Sequence, residues 1–163
     1  MFQFKELIKT GMGEANRVEK NRESVDKVFS SLNSELADET DGLFTIERYI
    51  QKPSAFAEIA KTYAIINQSA PPLVSLDSKG STGTLKIVLS SGGNASIARW
   101  EQDPDGYPFT IEFMGERTDC WDQEGLVNAL GKIVVSGQLW LKVKELQSKA
   151  LKASEQNNTE KND

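Results

Sequence analysis

The chain contains no histidine. A Ser-His-Asp triad, a histidine-ligated zinc and an imidazole pH switch are therefore excluded. Cysteine is nearly absent as well. Cys120 stands alone, so neither an intrachain disulfide nor a thiolate metal cluster can form. No apolar run approaches the roughly 20 residues that a membrane span needs. None of signal-peptide length follows the opening Met1-Phe2-Gln3-Phe4-Lys5-Glu6. An excess of positive charge is also missing. Nineteen Lys and Arg against 24 Asp and Glu give a net charge of -5, which disfavours a simple electrostatic nucleic-acid binder. The expectation is a soluble cytoplasmic protein with no membrane association, and a lone thiol fits a reducing compartment.

What is present suffices for one domain. The 163 residues are 38% hydrophobic and 26% charged. A chain of this length buries roughly two-thirds of its unfolded surface and needs neither metal nor disulfide to fold. Three regions are expected: an N-terminal helical segment over 1–38, an α+β domain over 39–150, and a polar disordered tail over 151–163.

Hydrophobic spacing predicts a helix over 14–38, where Val18, Val25, Phe29, Leu32 and Leu36 fall on one stripe. Gly11 and Gly13 are expected to separate it from a shorter helix near residues 2–10. The stripe has two uses: packing on its own domain, or a coiled-coil-like contact with a second chain. Leu43 to Gln51 alternates like a strand, with Phe44, Ile46 and Ile50 on one side and Thr45, Glu47 and Tyr49 on the other. Pro53 ends it, and Ser54 is a plausible N-cap for a helix carrying Phe56, Ile59, Ala60 and Tyr63. Pro71-Pro72 closes this unit, and a Ser- and Gly-rich loop is expected to run to Gly83.

The next stretch reads as an antiparallel meander of about four strands. Gly92-Gly93 is a two-residue hairpin signal, which would set Ile87 against Ala98 and Leu85 against Trp100. Asp103-Pro104-Asp105-Gly106 suits a type I turn and would set Trp100 against Phe109. Gly115-Glu116 would set Ile111 against Cys120 and Phe113 against Thr118. These turns place Leu85, Ile87, Leu89, Ala98, Trp100, Phe109, Ile111 and Phe113 on one face. Asp122 is the expected N-cap of a long helix that covers this face and runs to about residue 150, although Gly137 could break it.

Few residues carry a chemical signature. Cys120 precedes a helix start, which can activate a thiol, but Asp119 and Asp122 oppose a thiolate and the register turns the side chain inward. A buried structural thiol is the better reading. Asp103 and Asp105 lack the further ligands of a calcium loop and belong to a turn. Lys79-Gly80-Ser81-Thr82-Gly83-Thr84 resembles a phosphate loop in composition only, since it leads into a strand rather than a helix. No metal, cofactor or catalytic residue is expected.

The other face of the meander offers the candidate binding residues. The expected register lines up Lys86, Arg99, Thr110 and Trp121, with Val88, Ile97 and Glu112 as a second row. A Trp beside cations can grip a ligand, unless the chain's own helices cover this face. The expected function is a non-catalytic protein-binding module: an acidic adaptor, a chaperone, or an inhibitor of immunity type that masks a basic partner. Self-association through the N-terminal helix is a further expectation. The alternatives are a single-stranded nucleic-acid binder using the open sheet face and, last, a carboxylate-dependent enzyme.

Overall fold

The computed structural model describes residues 3–51 and 80–160. The helix expected from Ser54 and the Pro71-Pro72 boundary fall outside the described residues. Helix α1, Phe4–Thr40, leads into a sheet of β1, Phe44–Ile50; β2, Ser81–Leu89; β3, Asn94–Gln102; β4, Phe109–Phe113; and β5, Glu116–Cys120. Helices α2, Gln123–Val134, and α3, Gly137–Glu160, follow. All five strands are antiparallel and lie side by side in chain order. The class is α+β, and the meander gains one strand because Phe44–Ile50 joins it as an edge.

The core lies on one face of this sheet. Phe44, Ile46, Leu85, Ile87, Leu89, Ala98, Trp100, Phe109 and Ile111 are buried there. Helix α1 covers them with Val25, Val28, Phe29 and Leu36, α2 with Leu126, Leu130 and Ile133, and α3 with Leu139 and Val143. The expected face is the observed one, yet every cross-strand pairing differs. Leu85 faces Ala98 and Gly83 faces Trp100, where Leu85 against Trp100 is expected. Trp100 faces Ile111, and Phe109 faces Gln102 rather than Trp100. Ile111 faces Thr118, Phe109 faces Cys120, and Phe113 faces Glu116.

The turns explain these shifts. The β2–β3 loop is Ser90 to Gly93, not Gly92-Gly93 alone, with both glycines at positive φ (98° and 96°). Beside this loop the register is displaced by an odd step. Beyond it the pairing skips Ile97, a bulge that restores the parity of the faces. The β3–β4 loop runs from Asp103 to Pro108, and the β4–β5 turn is Met114-Gly115, both at positive φ (51° and 79°). A displacement of two residues keeps each side chain on its face, so the core survives an error in the pairing. Ile97 is the exception: expected on the open face, it packs against the core.

Three other expectations are corrected. Helix α1 is continuous through Gly11 and Gly13, because glycine weakens a helix by about 1 kcal/mol without breaking it. Strand β2 begins at Ser81, ahead of Gly83, to which a loop is expected to run. Gly83 lies in β2 with its missing side chain filled by neighbours: a Cβ there would meet the Tyr49 carbonyl and the Trp100 ring. The long C-terminal helix is broken at Val135-Ser136, ahead of Gly137. The joint is tied by the Trp140 indole, which donates to the Val134 carbonyl at 2.8 Å, and by Ser136 Oγ, which accepts from the Gln138 amide. Beyond residue 150, α3 continues as helix to Glu160, and every side chain from Leu151 to Thr159 is exposed.

One contact was invisible in the sequence. Asn33 on α1 donates to the Ile46 carbonyl at 3.0 Å and accepts from the Ile46 amide at 2.9 Å. These are the outward-facing groups of edge strand β1, so a side chain on α1 pairs with them as a sixth strand would. Arg48 fastens the same edge, reaching Asp26 at 2.6 Å and lying over the Phe29 ring at 4.6 Å.

Candidate binding face

Strand alternation sends a second set of side chains away from the helices. The register builds one row from Tyr49, Thr84, Arg99, Glu112 and Arg117, and the next from Thr82, Glu101, Thr110 and Asp119. Lys86 sits in a third row between Glu47 and Ser96. The displacement, three residues at Lys86 and two in the β3–β4 and β4–β5 pairings, thus removes the row expected of Lys86, Arg99, Thr110 and Trp121. Lys86 and Arg99 share the face in different rows, and Trp121 follows the end of β5. Val88 pairs with Thr45 and Asn94, and Glu112 stands between Arg99 and Arg117, so the second expected row is dispersed as well.

Each candidate side chain has its own setting. The Lys86 ammonium lies 4.6 Å from the centre of the Tyr49 ring, a cation–π contact that draws it along the face. Arg99 is exposed, and among the described residues no carboxylate lies within ion-pair distance of it. Trp121 is 71% exposed. It borders a shallow hollow with Thr110, Arg117, Asp119, Pro104 and Pro108. A smaller hollow of about 230 Å³ lies over Arg99, Glu101, Thr110 and Glu112.

Between these hollows stands a charged cluster that sequence reasoning missed. Arg117 reaches Glu101 at 3.4 Å and Asp119 at 3.6 Å, and the Thr110 hydroxyl donates to Asp119 at 2.8 Å. Arg117 and Asp119 are neighbours on one face of β5, whereas the Arg117–Glu101 and Thr110–Asp119 contacts are set by register, which the sequence reading displaces by two. The alternation of Glu116 to Cys120 was the available signal, and it was legible only with the true β4–β5 turn. Cys120 lies on the opposite, core side. Burial pushes its thiol up to about 11, with Asp119 and Asp122 adding to the shift, so the side chain is no nucleophile at neutral pH. Asp122 caps α2 as expected, accepting from the Gly125 amide at 2.8 Å.

Among the described residues no three acidic or cysteine side chains converge as metal ligands. No described helix is long and apolar enough to cross a membrane. Comparison with protein-family models, curated proteins and solved structures gives no match for this chain.

Proposed function

We propose that the protein is a non-catalytic binding module whose partner is another protein, held on the sheet face that bears Arg99 and Trp121. The supporting observation is the one-sided packing: every described helix contributes to the core on the opposite face, while Trp121 stays 71% exposed. An exposed aromatic and, elsewhere on the same face, a guanidinium without an ion pair among the described residues, both set among polar groups, are side-chain types enriched at interface anchors. The mixed charge of the face favours a protein over a nucleic acid. Glu101, Glu112 and Asp119 interleave with Arg99 and Arg117 and would repel a phosphate backbone. The net charge of -5 favours encounter with a basic partner.

The test is co-purification from host lysate with mass spectrometry, comparing the natural chain with Arg99→Ala/Trp121→Ala. Neither side chain is in the core, so the thermal melt of the double variant should match that of the natural chain. Loss of each anchor should cost about 2 kcal/mol or more, roughly 30-fold in affinity. A partner retained at full strength by the double variant rejects this face. Salt-sensitive binding to a single-stranded oligonucleotide, lost in the same variant, rejects the protein partner.

A further inference from the structure

The sheet ends in two edges, and they differ. At β1, Asn33 meets the outward amide and carbonyl of Ile46. At β5 the outward groups follow from the turn. Met114-Gly115 is a two-residue loop, so Phe113 and Glu116 flank it as a hydrogen-bonded pair. Alternation then turns the backbone of Glu116, Thr118 and Cys120 toward β4, and the N–H and C=O groups of Arg117 and Asp119 outward. The Thr110–Asp119 contact at 2.8 Å fits this phase, since side chains lie closest in the non-hydrogen-bonded pairs. Among the described residues no other strand or loop backbone bonds these outward groups. The Arg117 and Asp119 side chains are 58% and 47% exposed.

A ledge of alternating donors and acceptors takes an extended strand. Charged side chains usually deter one, because a foreign strand seldom answers them. At β5 the charges discriminate between registers instead. A second β5 laid antiparallel, with Thr118 opposite Thr118, puts Arg117 opposite Asp119 and Asp119 opposite Arg117. Both are outward positions, so each pair exchanges N–H···O bonds in both directions. A slip of two residues either way sets Arg117 against Arg117 or Asp119 against Asp119, like charges in direct opposition. Within its own chain Arg117 already lies 3.4 Å from Glu101 and 3.6 Å from Asp119. Those contacts are exposed and weak, so the pairing adds a carboxylate to a mixed cluster and breaks no buried bond.

We propose that β5 pairs antiparallel with β5 of a second copy about a two-fold axis at Thr118, joining the two sheets into one. The contact is isologous, each copy giving and receiving the same bonds. It lies on the edge of the sheet, not on the face assigned to a partner protein, and either reading can fail alone.

The experiment has three parts. Sedimentation equilibrium of the full chain across the micromolar range should give twice the 18.0 kDa of one chain, falling to a single chain on dilution. Arg117→Asp sets like charges opposite each other twice and should weaken pairing about tenfold, and Arg117→Asp/Asp119→Arg should restore it. The thermal transition at a concentration where the chain is single should be the same in all three proteins. Next, Thr118→Cys in a Cys120→Ala background should form an intermolecular disulfide on mild oxidation. Residues opposed in a non-hydrogen-bonded pair have Cα atoms about 4.5 Å apart, within the reach of that bond. Glu116→Cys in the same background should not, because the two-fold sets Glu116 opposite residue 120 and carries its own copy well beyond about 7 Å. Last, hydrogen exchange at the Arg117 and Asp119 amides should slow as concentration rises. A single chain at every concentration overturns the proposal, as does a dimer indifferent to Arg117→Asp. Cross-linking through Glu116→Cys but not Thr118→Cys overturns the register. Protected Arg117 and Asp119 amides in a protein that stays a single chain assign the edge to the chain's own residues and overturn the second copy as occupant.

Discussion

At the scale of single residues, Trp100 and Gly83 form one device. The two are paired across β2 and β3, the indole fills the space a side chain would take, and its N–H donates to the Thr84 carbonyl at 3.2 Å. Its ring also stacks on Phe109, with centroids 5.6 Å apart and planes at 9°. Trp100→Ala should therefore cost about 3–5 kcal/mol, read from chemical denaturation. Gly83→Ala should destabilise despite adding a single methyl, because backbone occupies the site. Cys120 makes a different prediction. Its folded thiol titrates at about 11, above the ordinary thiol value, so the native state holds a proton that the unfolded chain releases first. Its contribution is intact below the unfolded pKa and is lost as pH rises from there through about 11. Cys120→Ser should remove that alkaline slope, and in the natural protein alkylation should be slow when folded and fast in denaturant.

At the scale of elements, the sequence disclosed faces better than pairings. Alternation in Leu85, Ile87, Ala98, Trp100, Phe109 and Ile111 identified the buried side, because period two survives any even displacement. The register depended on where each turn begins. Gly92-Gly93 and Gly115 marked the turns correctly but not their first residues, since Ser90, Ser91 and Met114 carry no strong turn signal. The candidate face inherited this error: Arg99 and Trp121 were identifiable by type, whereas the Glu101 partner of Arg117 required the true register. The Asn33 clamp was illegible because nothing local marks a helical Asn as the partner of a strand. Asn33→Ala leaves the Ile46 amide and carbonyl unpaired and should cost about 1–3 kcal/mol. Faster hydrogen exchange at the Ile46 amide would locate the loss, and unchanged exchange there would argue against the clamp.

At the scale of the whole molecule, the described helices lie on one side of the sheet and the charged rows on the other, so under the proposed function stability and binding are separable. Substitutions at Arg99 and Trp121 should alter binding and leave the melt unchanged, whereas Phe29→Ala, beneath Arg48 and against Phe109, should lower the melt first. The ring contacts 5.8 Å from Phe109 join α1 to the sheet centre, so about 3–5 kcal/mol is expected from that truncation.

Chain order and sheet order coincide, and this has a consequence for the path to the native state. Pairings β2–β3, β3–β4 and β4–β5 close over short loops, but β1 meets β2 only after the chain returns from residue 51 to residue 80. Local closures lead in kinetics, and long ones bear the larger entropic cost. The hairpins from β2 to β5 should therefore organise the transition state, with β1 and its α1 clasp docking late. Asn33→Ala would then accelerate unfolding and leave the refolding rate nearly unchanged, while Trp100→Ala would slow refolding. A chevron in which Asn33→Ala shifts the refolding arm would reverse that order.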